Sequence, residues 1–371
     1  MDLTLTEEQA LVATTARELL AARSPASGVR AMAGDPAGYS TALWKEMAEL
    51  GWTGLALAEA HGGAGGSFLE LCLVVEEMGR VLVPSPFVPT VVLGAMALAR
   101  FGTADQQAAW LPGVVRGEGV IGYAGPGWGR SGGGVTATPR AGELVLDGTA
   151  LFVPYAHVAD LLLVVARNGG AGEPGPTVLL VEAATPGMTV ETLDAVDVHR
   201  QCRVVFEGAR VPAGNVLGGD RDGRAAVAAM TEHGAVATCA EMVGGAQQVL
   251  DLTVEYACDR EQFGRPIGSF QAVQHHCADM AMDVLTSRFL AHEAQWRLAQ
   301  GLDAAEEVSM AKSWVSDAYR RVCALGHQVH GAIGFTREHD LHLYLRHAVA
   351  AELTFGDADH HREVVATRLG L

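Results

Sequence analysis

The chain has 371 residues, of which 49% are hydrophobic and 19% charged, a composition typical of a folded globular protein. Its 26 basic and 43 acidic residues give a formal net charge of −17. Such a surface repels a phosphate backbone, so nucleic acid is excluded as an expected partner. The length allows two or three domains, each with its own core.

The N-terminal stretch MDLTLTEEQALVATTARELL predicts an amphipathic helix and lacks the basic start and apolar run of a signal peptide. The longest apolar run, PFVPTVVLGAMALARFG, is interrupted by proline and glycine and is too short to span a bilayer. We therefore expect a cytoplasmic protein with no membrane partner.

Three zones of different periodicity follow one another. Residues 1–118 carry apolar residues at spacings of three and four, as in STALWKEMAELGWTGLAL, which predicts a helical domain. Residues 119–220 contain short apolar runs such as ADLLLVVAR, PTVLLVEA and MTVETL, which predict a β domain. Within it, LDG at 146–148 is expected to turn the chain between two strands. Residues 221–371 predict an antiparallel four-helix bundle. The predicted fold class is α+β.

Six cysteines are scattered without CxxC or Cys/His ligand spacing, so the sequence indicates neither zinc nor a disulfide framework. The run QHHCADM places His275, His276 and Cys277 next to one another. Adjacent residues on a helix point in different directions and rarely share one metal ion. The sequence therefore predicts no metal site.

The stretch DREQFGRPIGSFQ, residues 259–271, breaks the helical zone and gathers Arg260, Gln262, Phe263 and Gln271 around the break. A plain connection between bundle helices needs only a short loop. Arginine can hold a phosphate in a bidentate contact, glutamine can bind ring edges or hydroxyls, and phenylalanine offers a flat apolar face. These residues suit a nucleotide cofactor, although a helix cap followed by a turn would also account for them.

The order helical, β, helical, with REQFGRPIGSFQ and the later QVHGAIGFTREHDLHLYLR, resembles the acyl-CoA dehydrogenase family across the whole chain. The resemblance implies an FAD enzyme that removes a proton α to a thioester carbonyl while the β-hydride passes to the flavin. It implies an acyl thioester, on CoA or on a carrier protein, as substrate and a flavoprotein as electron acceptor. It also implies a homo-oligomer, usually a tetramer, or a heterotetramer with a paralogous subunit. The FAD contacts that it assigns are Tyr123, Ser131, Phe152, Arg260, Gln262, Phe263, Gln271, Gln328 and Gly331.

The carboxylate base of that family has no direct counterpart here. Its usual position, within LTFGDADHHRE, falls on Gly356, and its alternative position in the first bundle helix falls on Gly234. Asp357, beside the first of these positions, is the candidate catalytic base, with a helix cap as its other role. Glu232 matches an acidic position near the substrate in many members. Glu241, further along the same helix, also carries a carboxylate, at a position where no catalytic role is expected.

The flavin-facing segments also depart from the family. Ala124 and Gly125 replace a Thr-Glu pair, and Phe152, Val153 and Pro154 replace Trp-Ile-Thr. Phe152 can still pack on a flavin, but two hydroxyls that would bond the polar edge of the ring are lost. A buried polar edge without its partner costs about 1–3 kcal/mol per group.

Three hypotheses follow from these departures. The first is an acyl-CoA dehydrogenase with a relocated base. The second is a base-less subunit of a heterotetramer, as in actinobacterial members that act on steroid side chains. The third is a reduced-flavin-dependent monooxygenase or a carrier-thioester desaturase, which the intact REQFGRPIGSFQ and HGAIGFT motifs disfavour. A purely structural protein would have no need of Arg260, Gln262 and Gln328 together.

Overall fold

The fold was obtained as a computed structural model, which describes residues 4–126, 134–169, 175–219 and 222–371. The helices are α1 Glu7–Arg23, α2 Ala26–Met32, α3 Thr41–Glu49, α4 Phe68–Arg80, α5 Met96–Phe101, α6 Ala104–Val115, α7 Arg224–Asp259, α8 Gln271–Ala299, α9 Ala305–His330, α10 Leu341–Leu353 and α11 Ala358–Arg368. The strands are β1 Ile121–Ala124, β2 Val135–Arg140, β3 Glu143–Pro154, β4 Leu161–Asn168, β5 Pro176–Glu182, β6 Met188–Leu193, β7 Gln201–Pro212, β8 Glu261–Gln262 and β9 Arg265–Pro266. The predicted α+β class is confirmed, with helices before and after the sheet. Within these ranges, no helix is both long and apolar enough to cross a membrane.

The N-terminal helices begin where the sequence supplies caps. The Ser67 side chain accepts a hydrogen bond from a backbone N–H of α4, and the Glu70 side chain reaches back to the Ser67 N–H. Thr103 and Gln106 form the same reciprocal arrangement at α6. Such capping boxes satisfy N–H groups that the first turn of a helix leaves unpaired. Between these helices, a π-helical segment at Val88–Ala95 continues directly into α5.

The β domain is one mixed sheet with the strand order β1-β4-β2-β3-β7-β6, and β5 pairs with the other edge of β4. β4 runs parallel to β1 and β2, while the remaining pairs are antiparallel. The prediction of a turn at LDG was wrong. β3 continues through Asp147 because a register shift between Leu146 and Asp147 absorbs the irregularity while β7 stays paired.

The C-terminal helices pack around α9, which contacts α7, α8, α10 and α11. The bundle is joined to the N-terminal helices where α4 crosses α7. A Cβ atom at Gly79 would overlap the Glu241 carbonyl oxygen, and one at Gly244 would overlap the carbonyl oxygen of Glu76. The two backbones therefore touch at a pair of glycines, and this crossing sets how the two helical zones lie against each other.

We expect Gly244→Ala to destabilise the protein by about 1–3 kcal/mol, because the added methyl group must push two packed helices apart. Urea unfolding followed by circular dichroism would measure the change. Gly113→Ala is the matched control, since a Cβ in this part of α6 would meet only an ordinary contact at 3.9 Å. Equal effects of the two substitutions would contradict this account of the crossing.

Candidate functional site

The break between α7 and α8 is a tight β-hairpin. β8 and β9 pair through Gln262 and Arg265, and the two residues between them, Phe263 and Gly264, both have positive φ, at 55° and 77°. Positive φ at both central residues is the pattern of a type I′ turn. Arg265 lies over the ring of Phe270 at 4.2 Å from its centroid. The glycine and the proline of this segment thus build a compact projection from the bundle.

The hairpin presents an aromatic ring to its surroundings, because 92% of the Phe263 surface is exposed. The backbone of Arg260 is fixed on both sides: its N–H donates to the Tyr256 carbonyl and its carbonyl accepts from Ile267, both at 2.8 Å. Its side chain is exposed at the base of the hairpin, as is that of Gln271 at the start of α8. A guanidinium and a flat ring are therefore available together for a ligand.

The end of α9 lies beside the end of α7. The ring of His330 stacks on Tyr256, with centroids 4.4 Å apart. Gln328 is exposed two residues earlier, and Gly331 terminates α9 with φ 65° and ψ −140°, a conformation open essentially only to glycine. The structure therefore brings both motifs of the resemblance to the same end of the bundle.

The sheet contributes two aromatic residues of different exposure. Phe152 has φ 57° and lies where the β3–β7 register shifts between Ala150 and Val153, which leaves 66% of its surface exposed. Bulges of this kind redirect side chains and are common beside active sites. Tyr123 on β1 is buried, and burial raises the pKa of its hydroxyl. Ser131, the other predicted contact of this domain, lies outside the described residues.

The turn between α10 and α11 carries the positions expected for the base. Phe355 has φ 59°, and its buried ring stacks on Tyr123 with centroids 6.5 Å apart and an angle of 23° between the planes. A Cβ at Gly234 would overlap the Cζ, Cε1 and Cε2 atoms of the same ring. Gly356 follows with φ 98°. The ring of Phe355 therefore fills the space beside Gly234, and Phe355 is also the residue directly before Gly356.

A buried lysine of α9 holds the turn between α10 and α11 by hydrogen bonds. Lys312 Nζ donates to the carbonyl oxygens of Glu352 and Gly356, each at 2.9 Å, and to Ser316 Oγ at 3.1 Å. Burial lowers the pKa of Lys312 to about 8. Three acceptors around one ammonium group hold both ends of the turn on α9.

A buried histidine holds the same turn from the other side. His361 Nε2 lies 2.9 Å from the Phe355 carbonyl oxygen, and Nδ1 lies 3.2 Å from Ser309 Oγ. Burial lowers the pKa of His361 to about 4, so the ring is neutral near pH 7. Because a carbonyl only accepts, Nε2 carries the proton and donates to Phe355, while Nδ1 accepts from Ser309.

Asp357 is the N-cap of α11. Its side chain accepts a hydrogen bond from the His360 backbone N–H at 2.8 Å, and its φ and ψ of −81° and 176° are those of an extended cap residue. The carboxylate is exposed, whereas the ring of Phe355 points inward. The capping role that the sequence allowed is thus present in the structure.

Glu232 lies on α7 two residues before Gly234. Residues two apart on a helix are about 200° apart around its axis, so the two positions face different directions. Burial raises the pKa of Glu232, and the charges that act on it belong to Asp303, Arg368 and Arg100. The structure does not bring this carboxylate to the contact between Phe355 and Gly234.

Glu241 belongs to a buried polar group that no pattern in the sequence indicated. Its Oε1 lies 3.0 Å from His199 Nε2, and its Oε2 lies 4.0 Å from His347 Nε2. His347 Nδ1 in turn lies 3.1 Å from Asp197 Oδ1. These residues come from segments far apart in the chain, so no local motif could have predicted their contact.

The chain is similar to known acyl-CoA dehydrogenases in sequence and in fold. The family models "Acyl-CoA dehydrogenase, N-terminal domain" and "Acyl-CoA dehydrogenase, C-terminal domain" match residues 6–118 and 221–370. "Probable acyl-CoA dehydrogenase YngJ" of Bacillus subtilis (strain 168) is 32% identical, over 88% of this chain and 89% of that protein. A chain of the ChsE4-ChsE5 complex from Mycobacterium tuberculosis superimposes with a TM-score of 0.92 and 31% identity, over 100% of this chain and 99% of the other. A chain of a Tcur3481-Tcur3483 steroid ACAD variant gives a TM-score of 0.90 and 30% identity, over 99% of both chains.

The neutral state of His361 makes the turn sensitive to acid. Its pKa is about 4 in the folded protein and 6.5 in the unfolded chain, so its contribution is present above pH 6.5 and is lost as the pH falls toward 4. We expect the free energy of unfolding of the wild type to fall over this range by up to about 3 kcal/mol more than that of His361→Gln. Denaturant titrations at several pH values would measure the difference. His275→Gln, on the exposed face of α8, should follow the wild type; parallel curves for wild type and His361→Gln would refute the prediction.

Proposed function

The chain belongs to the acyl-CoA dehydrogenase family, and we propose that it takes part in the α,β-dehydrogenation of an acyl-CoA thioester. It is a flavoprotein oxidoreductase whose cofactor is FAD. The observation that carries the proposal is the pair of family matches at 6–118 and 221–370, which leave only the sheet between them. We propose that the acyl group is carried as a thioester of CoA. The proposed oxidant of the reduced FAD is an electron-accepting flavoprotein.

The exposed groups at the end of the bundle fit FAD. In this proposal Arg260 pairs with the pyrophosphate, Phe263 covers a ring of the cofactor, and Gln328 and Gly331 contact it from α9. Because Phe263 projects away from its own chain, these residues serve an FAD molecule shared with another subunit. An oligomer is therefore part of the proposed function.

FAD supplies the acceptor for the β-hydride when it is bound. In this proposal, side chains of this chain line the reaction site. Phe152 offers an aromatic face from the sheet, and Tyr123 and Phe355 form a stacked pair that excludes water. An α-proton must also leave, and that step needs a carboxylate or another base within hydrogen-bond reach. Neither Asp357, which caps α11, nor Glu232, which faces elsewhere on α7, stands at the Phe355 contact.

We expect Phe263→Ala and Arg260→Ala each to weaken FAD binding by about 5- to 150-fold, because each removes one proposed contact (about 1–3 kcal/mol). Less FAD should then remain bound after purification. Flavin absorbance per chain, and titration of the apoprotein with FAD, would measure the loss. The control is Arg116→Ala, which removes an exposed arginine paired only with Glu118 within the described residues. Unchanged FAD binding in both test variants would overturn the assignment of the hairpin.

The packing of Phe355 on Gly234 favours a narrower second function. In this proposal the chain is the base-less subunit of a heterotetramer, and a paralogous subunit supplies the carboxylate at its own site. The ring fills the space that a side chain at Gly234 would need, and Gly356 offers none of its own. The similarity to a chain of the ChsE4-ChsE5 complex supports such a mixed assembly. The similarity to a steroid ACAD makes a steroid acyl-CoA the first substrate to test.

Restoring a carboxylate tests this second proposal. In Gly234→Glu/Phe355→Ala, the shortened side chain makes room for the new glutamate. We expect anaerobic bleaching of the flavin by acyl-CoA to become about 100-fold faster or more than in the wild-type chain alone, because a positioned base contributes about that factor.

The two single variants are the controls for that experiment. Phe355→Ala opens the space without adding a base, and Gly234→Glu adds a carboxylate that the ring displaces, so both should bleach as slowly as the wild type. Rapid bleaching by the wild-type chain alone, abolished by Asp357→Asn or Glu232→Gln, would instead show that the chain contains its own base.

A further inference from the structure

A group of titratable side chains lies between the sheet domain and the bundle. Asp197 and His199 come from the connection between β6 and β7, Glu241 comes from α7, and His347 comes from α10. Their side chains are 8%, 14%, 13% and 2% exposed, in that order. We call these four residues the interdomain cluster. None of them belongs to the FAD contacts or to the Phe355 turn.

The geometry of the interdomain cluster resembles a set of metal ligands. One ligand atom from each of Asp197, His199 and His347 can be chosen so that all three lie within 4.8 Å of one another. The 3.1 Å between Asp197 Oδ1 and His347 Nδ1 fits a hydrogen bond and equally fits two ligands of one ion. Tetrahedral zinc bonds of about 2.0–2.2 Å place neighbouring ligand atoms about 3.3–3.6 Å apart. The 3.1 Å pair is close to this spacing, and any pair near the 4.8 Å limit would close up around a bound ion.

Two ring nitrogens of the interdomain cluster lack hydrogen bonds. Nε2 of His199 and Nε2 of His347 are buried and have no hydrogen-bond partner among the described residues. Glu241 Oε1 is 3.0 Å from the first of them, which is an ion-pair distance when the ring is protonated. Buried polar atoms in folded proteins are nearly always bonded to a donor, an acceptor, water or an ion, so His199 Nε2 calls for a further partner. One ring gives one nitrogen to one ion, so His347 would bind through Nδ1, the atom beside Asp197.

The other nitrogen of the His199 ring, Nδ1, has a hydrogen-bond partner that fixes the orientation of the ring. The Tyr155 hydroxyl lies 3.3 Å from His199 Nδ1, and Tyr155 is itself fully buried. When His199 Nδ1–H donates to this oxygen, Nε2 is left with a lone pair that can bind an ion. Histidine ligands of metal ions are commonly fixed by such a hydrogen bond on their other nitrogen.

We propose that Asp197, His199 and His347 bind a divalent transition-metal ion of the zinc class, with Glu241 at the fourth position. Imidazole nitrogen and carboxylate oxygen are ordinary zinc ligands, and two carboxylates balance the charge of the ion. A site whose four ligands all come from the protein is structural. It ties the β6–β7 connection to α7 and α10, and so fastens the sheet to the bundle.

Protons compete with the metal ion for the interdomain cluster. Although burial lowers it, the neighbouring carboxylates raise the pKa of His199 to about 9 and also raise the pKa of His347. A bound metal ion must displace these protons, so metal affinity increases with pH and binding releases protons. Without a metal ion, the alternative arrangement is two ion pairs between protonated histidines and carboxylates, His199 with Glu241 and His347 with Asp197.

An ion can reach the cluster from solvent. A cavity of about 530 Å³ between the N-terminal helices and the β6–β7 connection is lined by Asp197 and His199 together with several arginines. Arg30 at its edge is paired with Asp340, and Arg200 donates to the backbone carbonyls of Ala33 and Asp35. The ion pair with Asp340 reduces the repulsion that Arg30 exerts on a cation, and the carbonyl contacts hold the Arg200 side chain in place.

The experiment uses the full chain with FAD bound. Chelator-treated protein is equilibrated with one equivalent of zinc chloride, and metal per chain is measured by mass spectrometry, with affinity taken from competition against a chromophoric chelator. We expect one zinc per chain in the wild type. His347→Gln and the nearly isosteric Asp197→Asn should each lower the affinity at least 100-fold. Tyr155→Phe, which touches no metal in this account, should lower it about tenfold.

The control is the double variant His275→Gln/His276→Gln, which removes the adjacent histidines on the surface of α8 and should leave zinc binding unchanged. Replacing zinc with cobalt(II) gives a second readout: four-coordinate cobalt absorbs beyond the flavin bands, and this absorption should disappear in His347→Gln. Titration in two buffers should detect proton release. Two results would overturn the proposal. The wild type could hold no more zinc than His347→Gln and Asp197→Asn, or zinc could be lost only in the α8 double variant.

Discussion

The contact on which this structure depends is the ring of Phe355 placed between Tyr123 and Gly234. It unites three parts of the chain: the first strand of the sheet, the first helix of the bundle and the turn before the last helix. Phe355 must adopt a positive φ to reach this position, which is costly for a residue with a side chain. Lys312 and His361 stabilise the turn by binding its carbonyl oxygens, so the strained backbone is held by hydrogen bonds to α9 and α11.

That contact also explains how two substitutions belong together. Glycine at 356 and glycine at 234 look, in the sequence, like two independent losses of a carboxylate. In the structure the two positions lie at one contact, because Gly234 provides the surface that Phe355, the residue before Gly356, covers. In the proposed base-less subunit, FAD would still accept the hydride, and the proton would need a base from another subunit. A mixed assembly supplies one without changing this chain.

The fold could be predicted to the level of its zones because helical spacing, short apolar runs and turn residues are local signals. The hairpin at Phe263 was predictable for the same reason: Gly264 and Pro266 indicate a turn, and the flanking residues carry the chemistry. The expected turn at LDG failed because Asp147 and Gly148 are compatible with a β-bulge as well as with a hairpin, and pairing with β7 decided between them. The cap formed by Asp357 was foreseen from its position before α11.

Other parts of the site depend on tertiary contacts that no local pattern carries. The stacking of Phe355 on Tyr123 joins residues far apart in the chain, and the only signal in the sequence was a large aromatic residue beside a glycine. The interdomain cluster assembles Asp197, His199, Glu241 and His347 from three elements. Spacing rules for metal sites search neighbouring residues, so they considered only the adjacent histidines of α8, rejected them, and could not detect this group.

The most direct test is the exchange of the α-protons of a bound acyl-CoA with deuterated water, followed by nuclear magnetic resonance. Exchange needs a base but no hydride transfer, so it isolates the step that Phe355 is proposed to leave without a carboxylate. We predict no exchange above the buffer rate with this chain alone, and exchange once a paralogous subunit that carries the glutamate is added. Rapid exchange catalysed by this chain alone would contradict the assignment of a base-less site.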